Sequence, residues 1–418
     1  MSFNYIVTAQ KPTAVFNCIS GMFVAFLFLL SFYLPFLLKT GNFTGPNDLN
    51  LILDKLMRIE VYLVTPEGLR SLKEIPIYGR IQIMKKFRMP NEDRDFLFIL
   101  TSKHNILILE IKRDTERGDF EVNTLAHGMI SERIGHPAEN GAICVINPQA
   151  RLIALRIYDG MFNVIKLDFK SKEIKAYNIR MEETNVINFA FLNGCKAPTL
   201  CLIYQEHQSR HLKTYEITDE KEFCRGPWKQ ENVESESNIL IPVDEEYGGV
   251  IVIGQESIVY IISQNSYTAI APPGIKQSSV TCYCPLDKTR FLIGDMTGRL
   301  FILFLLPTSN EDESGKNASG FELKLKCLGE ISIPQSLTYL DNNYIFVGSR
   351  MGDSQLIKLN LEANDSGNYI EIIDSFVNLA PIVDMIVVDL DKQGQDQLVT
   401  CSGYFKDGKH ITAHHCCL

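Results

Sequence analysis

No long stretch of this sequence repeats its apolar residues every 3.6 positions, which excludes amphipathic helices as its main building element. No Cys-x-x-Cys pair occurs either. The 11 cysteines are an odd number scattered through apolar runs, among them Cys144, Cys201, Cys282 and Cys401. This favours buried free thiols in a reducing compartment over a disulfide scaffold. Cys282 and Cys284 would share one face of a strand, with no histidine near them in sequence. The tail His414-His415-Cys416-Cys417 has ligand-type side chains, but two adjacent pairs at one end do not easily enclose a tetrahedral ion, so no metal site is expected. Basic runs are absent as well. A net charge of -9 and a pI of about 5.5 give no support to direct, salt-driven binding of nucleic acid. The 8 histidines are dispersed, and no nucleophile, base and orienting group stand in a recognisable pattern. No catalytic residue, cofactor or small-molecule ligand is therefore expected. The only tryptophan, Trp228, reads as packing under a loop rather than as a binding anchor.

Charge is also missing between Lys11 and Lys39. Met22 to Leu38 is nearly all apolar, and as a helix it would span roughly 25 Å, short of a bilayer core of about 30 Å. One reading is a signal anchor, with Asn42-Phe-Thr44 as a glycosylation acceptor. Against it stand Pro35 inside the span, Lys11 as the only upstream basic side chain, and the unpaired cysteines downstream. The Phe, Leu, Ser, Tyr and Val composition also fits translated pyrimidine-rich DNA, so an insertion or gene-model artefact over 22–40 is the favoured reading.

What the sequence has is a repeated hairpin. Arg290-Phe-Leu-Ile-Gly-Asp-Met-Thr-Gly-Arg-Leu-Phe-Ile-Leu303 and Tyr344-Ile-Phe-Val-Gly-Ser-Arg-Met-Gly-Asp-Ser-Gln-Leu-Ile-Lys-Leu359 each set Gly-x-x-x-Gly between two strand-like runs. Further copies run over 97–111, 152–167, 200–217 and 250–262, with weaker ones at 51–64 and 397–408. Their turns fall near 55, 102, 159, 207, 255, 296, 350 and 403, a step of about 41 to 57 residues. A unit of that size holding about four short strands is a propeller blade. The fold class is all-β: seven turns give a seven-bladed β-propeller, and the eighth opens something new. In the last complete unit the strands are expected at 336–340, 344–348, 354–359 and 369–377, and 381–389 begins the next. The polar stretch 307–320 reads as a flexible loop within a blade. Asp295 and Asp353 follow hairpin glycines and suit turn hydrogen bonding better than acid–base chemistry. Gly-x-x-x-Gly here opens no helix, so it is not a phosphate cradle.

Several segments together carry a resemblance. They are Tyr5-Ile-Val-Thr-Ala-Gln-Lys-Pro-Thr-Ala-Val15, Gly226-Pro-Trp-Lys-Gln-Glu-Asn-Val-Glu234, Ile253-Gly-Gln-Glu-Ser-Ile258, Gly294-Asp-Met-Thr-Gly-Arg-Leu-Phe301, Val347-Gly-Ser-Arg-Met-Gly-Asp-Ser-Gln-Leu356 and Gln397-Leu-Val-Thr-Cys-Ser-Gly403. In order, they resemble the damage-specific DNA-binding adaptor family. Its paralogues are the large subunits of splicing factor 3b and of the cleavage-and-polyadenylation factor. Residues 22–40 and those after Gly408 have no counterpart. The resemblance implies three seven-bladed propellers and a helical domain, of which this chain covers the first propeller and the opening of the second. It divides the chain into a strand at 1–15 that belongs with the third propeller, a seven-bladed propeller at 16–390 interrupted by 22–40, and a truncated start of the second propeller at 391–418. The strand at Tyr5–Val15 would then lack its partner.

The same resemblance implies a non-catalytic adaptor of cullin-4 RING ubiquitin ligases, linked to repair of UV-damaged DNA, in the nucleus and cytoplasm. Its partners would be substrate receptors carrying a helical docking motif, with DNA reached only through a receptor and cullin-4 only through the second propeller. The receptor-contacting positions match Arg350, Met351, Pro381, Ile382, Val383 and Phe405 here, while Tyr404 replaces a smaller residue. Blade topology gives a separate expectation: second-to-third-strand turns and interblade links emerge on one face, so all seven residues line one rim. Ile382 and Val383 also fit the core of a strand. The alternatives are an RNA-processing factor subunit of the same architecture and a membrane-anchored glycoprotein.

Overall fold

The computed structural model describes residues 14–20, 43–45 and 48–413, apart from 90, 91, 93, 114–119, 131–134, 169–172, 219–221, 309–319, 366, 391, 393, 395 and 396. The expected strand up to residue 13, the apolar segment 22–40, the tail 414–417 and most of the 307–320 loop lie outside the described residues.

Blade 1 comprises β1 (Asn17–Ser20), β2 (Asn50–Asp54), β3 (Arg58–Thr65) and β4 (Gly68–Pro76). Blade 2 comprises β5 (Ile81–Arg88), β6 (Asp95–Thr101), β7 (Asn105–Arg113) and β8 (Phe120–Met129). Blade 3 comprises β9 (Ile143–Ile146), β10 (Leu152–Arg156), β11 (Met161–Asp168) and β12 (Glu173–Arg180). Blade 4 comprises β13 (Val186–Phe191), β14 (Thr199–Glu206), β15 (Ser209–Ile217) and β16 (Phe223–Val233). Blade 5 comprises β17 (Ile239–Pro242), β18 (Val250–Ile253), β19 (Ile258–Ser263) and β20 (Ser266–Ile270). Blade 6 comprises β21 (Val280–Pro285), β22 (Arg290–Asp295), β23 (Arg299–Pro307) and β24 (Phe321–Glu330). Blade 7 comprises β25 (Pro334–Tyr339), β26 (Tyr344–Ser349), β27 (Ser354–Leu359) and β28 (Ile370–Phe376). Each is a four-stranded antiparallel sheet in sequence order. All eight expected hairpin turns are present. The last joins β30 (Gln397–Ser402) to β31 (Lys409–Ala413), which form a separate three-stranded sheet with β29 (Ile382–Val388). The expected boundary at 390 falls between β29 and β30, inside this sheet.

Burial explains why each strand has its composition. The second strands β2 (NLILD), β6 (DFLFILT), β10 (LIALR) and β18 (VIVI) are buried along their whole length. Adjoining blades cover both of their faces, so an unbroken apolar run replaces alternation. The outer strand β4 (GLRSLKEIP) is mostly exposed or half-buried and correspondingly polar. Among the described residues the core is therefore divided into seven apolar clusters, one for each junction between blades. The seventh sets Val15, Cys18, Leu51 and Leu53 of the first blade against Leu340, Phe346 and Leu356 of the last, which closes the ring. Cys18 adds polar clasps: Thr338 Oγ1 donates to its carbonyl at 2.9 Å, and its thiol lies 3.1 Å from Ser336 Oγ. Trp228 has the expected packing role, but from the outer strand β16 into the junction between blades 4 and 5 and not under a loop.

The residue ending each second strand often organises the following turn. Asp295 accepts the backbone N–H of Thr297 at 3.0 Å and of Arg299 at 2.8 Å, as expected of a turn aspartate. Thr101 Oγ1 accepts the N–H of Asn105, and Ser349 Oγ that of Gly352. The Asp54 carboxyl accepts the N–H of Leu56 at 3.0 Å, and burial pushes it up to about 7. The folded chain then holds a proton that the unfolded chain has lost above about pH 4. Stability contributed by this group is present below pH 4 and falls as the pH rises towards 7. Asp54→Asn, which keeps an acceptor for Leu56, is expected to stabilise the protein by about 1–3 kcal/mol at pH 8 and to change little at pH 4. Urea titrations at the two pH values test this, and an equal effect at both would refute it.

Candidate docking rim

Arg350 and Met351 sit in the turn between β26 and β27, Pro381 in the link from β28 to β29, and Ile382 and Val383 open β29. Tyr404 and Phe405 lie in the turn between β30 and β31, where Phe405–Asp407 forms a single 3-10 turn. Val383 is 76% exposed, Phe405 71%, Ile382 59% and Tyr404 55%; Met351 is half-buried. Ile382 and Val383 are exposed here together with the rest of β29 through Val387.

Two side chains absent from the sequence-derived site tie these segments together. Asn378, 1% exposed, donates through Nδ2 to the carbonyls of Arg350 and Gly352, both at 3.0 Å. Its own N–H donates to Asp353 Oδ1 at 2.8 Å, so the expected turn aspartate serves the interblade link. Asp407 Oδ2 accepts the N–H of Ile333 at 2.7 Å and stands against Gly352, where an added Cβ would lie 2.6 Å from it. The N–H of Gly403 donates to the Pro381 carbonyl at 3.0 Å, and Lys406 Nζ reaches Glu330 at 3.1 Å. The rim is therefore a connected set: the turn of blade 7, the link after it, and the turn of the next sheet laid across both. Neighbouring Ala380 and Phe405 hold positive φ of 58° and 51°, a conformation that costs an L residue about 1 kcal/mol or more. Arg350 leans over the Phe16 ring at 5.3 Å, which leaves its guanidinium at the rim's edge.

Asn378→Ala removes both donors from buried carbonyls and is expected to cost about 1–3 kcal/mol. Hydrogen exchange of Arg350 to Asp353 should accelerate in this variant relative to the rest of blade 7. Uniform exchange across the blade would contradict the role given to Asn378.

Among the described residues no group of three or more His, Cys, Asp or Glu could hold a metal ion. No helix among them is long and apolar enough to cross a membrane. Among the described residues nine cysteines are free thiols, and burial pushes Cys144 and Cys284 up to about 12, so these two are poor nucleophiles at neutral pH.

A family model described as the RSE1/DDB1/CPSF1 first beta-propeller matches residues 39–377. The chain is similar to DNA damage-binding protein 1 of Drosophila melanogaster, at 47% identity over 98% of this chain and 34% of that protein. It is similar to the protein of the same name in Oryza sativa subsp. japonica, at 46% identity over 97% of this chain and 34% of the relative. DNA damage-binding protein 1b of Arabidopsis thaliana is 44% identical over 97% and 34%. The chain thus spans about a third of the length of these curated relatives.

Proposed function

The chain belongs to the RSE1/DDB1/CPSF1 first-propeller family, and from that premise we propose that it is a non-catalytic adaptor propeller whose rim captures an amphipathic helix of a partner. The observation that carries this reading is the convergence of half-buried Met351 with exposed Ile382, Val383 and Phe405 on segments joined by Asn378 and Asp407. Apolar side chains held on a rigid frame beside Arg350 suit the helix-in-groove mode of recognition. The partner would be a substrate receptor of a cullin-4 ubiquitin ligase acting in repair of damaged DNA. Contact with DNA would then be indirect, in keeping with a net charge of -9. Contact with a cullin would need a second propeller. The proposed setting is the nucleus and cytoplasm.

The names of the relatives favour this reading over an RNA-processing subunit. The membrane-glycoprotein reading loses support from the acceptor tripeptide. Phe43 and Thr44 are both buried, and Thr44 Oγ1 is tied to Asp48 at 2.7 Å. The test is co-precipitation of the full chain with a receptor's docking helix. Capture of the helix is expected, and no capture above background would end the proposal.

A further inference from the structure

On the outer wall between blades 3 and 4 lies a cavity of about 480 Å³. Four of its lining residues are cationic: Arg180 at the end of β12, Lys213 on β15, and Arg225 and Lys229 on β16. The single lining carboxylate is Glu182. A chain of net charge -9 has concentrated cations here, which general surface chemistry does not require. Their arrangement is also locally unfavourable. Lys213 and Lys229 stand directly opposite in the antiparallel register of β15 and β16, where like charges destabilise a sheet. Each has been given a compensating carboxylate: Glu183 lies 2.5 Å from Lys213, and Glu231 lies 2.6 Å from Lys229. The two arginines have not. Among the described residues, no carboxylate lies within 4.0 Å of Arg180 or Arg225.

We propose that this cavity is a binding site for a phosphate monoester carried on a protein side chain. Two guanidinium forks with no carboxylate beside them among the described residues offer the planar donor geometry that matches phosphate oxygens, while the two ammonium groups are already held by Glu183 and Glu231. The cavity exceeds the volume of a free phosphate. Met181, Tyr215 and Phe223 supply an apolar wall for the group that bears it. Tyr215 is fixed by its hydroxyl, which donates to Glu183 at 2.9 Å, and by the Phe223 ring stacked at 5.1 Å. A nucleic acid backbone would call for a track of cations following successive phosphates, whereas these four line one pocket. In the ring, blades 3 and 4 are each three places from blade 7, so the site faces away from the docking rim and does not depend on it.

The test is fluorescence anisotropy of the full chain with otherwise neutral phosphotyrosine and phosphoserine peptides, their unphosphorylated twins and a single-stranded oligonucleotide, with inorganic phosphate as competitor. A phosphopeptide is expected to bind at least about tenfold more tightly than its twin, and Arg180→Gln or Arg225→Gln to lower that affinity about tenfold. Both arginines are exposed, so the variants should fold and keep docking-helix capture unchanged. Equal binding of the twins, or variants that bind as the parent does, would overturn the proposal. Inorganic phosphate binding without either phosphopeptide would overturn the assignment to a side chain, and preference for the oligonucleotide would transfer the site to nucleic acid.

Discussion

Replacing Met351 by Glu is expected to abolish capture of the proposed docking helix, and Phe405→Ala to weaken it about 30-fold. Met351 is half-buried in a turn whose next residues are Gly352 and Asp353, with the Asp407 carboxylate against Gly352. A third carboxylate there is repelled by both neighbours and would have to be desolvated under the incoming helix. Phe405 contributes by area: a ring that is 71% exposed in the free chain gains its burial only in the complex. Truncating an aromatic anchor of this kind costs about 2 kcal/mol or more, or roughly 30-fold in Kd. The fold should be indifferent to Phe405→Ala, because exposed substitutions lie within about 0.5 kcal/mol. Isothermal titration with a synthetic docking helix, beside urea unfolding of each variant, separates the two effects. Unchanged affinity in both variants would remove the rim from the proposed function, whatever the parent chain binds.

Arg156→Ala should cost about 3–5 kcal/mol of stability, the largest effect expected of any single polar residue here. Arg156 is 1% exposed at the end of β10. Its guanidinium donates to the carbonyls of Val186 and Thr184, at the entry to blade 4, and to the Asp159 carboxylate in its own turn. Truncation leaves Asp159, 17% exposed, without this partner, strips two carbonyls of a donor and opens a cavity between two blades. Arg156→Lys should recover only part of the loss, since a single ammonium cannot span the same acceptors. Equilibrium urea unfolding reads this directly, and a loss under 1 kcal/mol for Arg156→Ala would show that the guanidinium does not hold the blades together. Arg156→Met, which fills the volume without the charge, distinguishes lost packing from lost hydrogen bonds.

The contrast between these two positions shows what could be read from the sequence. The hairpins were legible because blade strands are covered on both faces, which forces runs such as Phe96-Leu-Phe-Ile-Leu100, and because their turns must carry glycine or short polar residues. Arg350, Pro381 and Phe405 came from the family resemblance, and strand direction added the expectation that they share one rim. Asn378 and Asp407 were not legible. Asp407 bonds to a residue 74 positions away and Asn378 to residues 26 and 28 positions away, and no local spacing encodes such pairings. Arg156 was hidden for the opposite reason. In Leu152-Ile-Ala-Leu-Arg156 it reads as the polar end of a strand, and only the arrival of Thr184 and Val186 turns that end into a buried junction. Asp353 was assigned to its own turn because the link that it serves lies 25 residues on.

The closure of the ring through Cys18 also has a meaning in time. Its partner Thr338 is 320 residues further along the chain. A ribosome adding about 5–20 residues per second needs roughly 16–64 s to supply that partner. Throughout that interval β1 and the apolar flank of blade 1 have no seventh blade to lie against. The order of synthesis therefore makes the junction between the first and last blades the final one to form. A chain arrested before blade 7 should consequently recruit holdase chaperones through Leu51 and Leu53, residues that the finished ring hides completely or almost so.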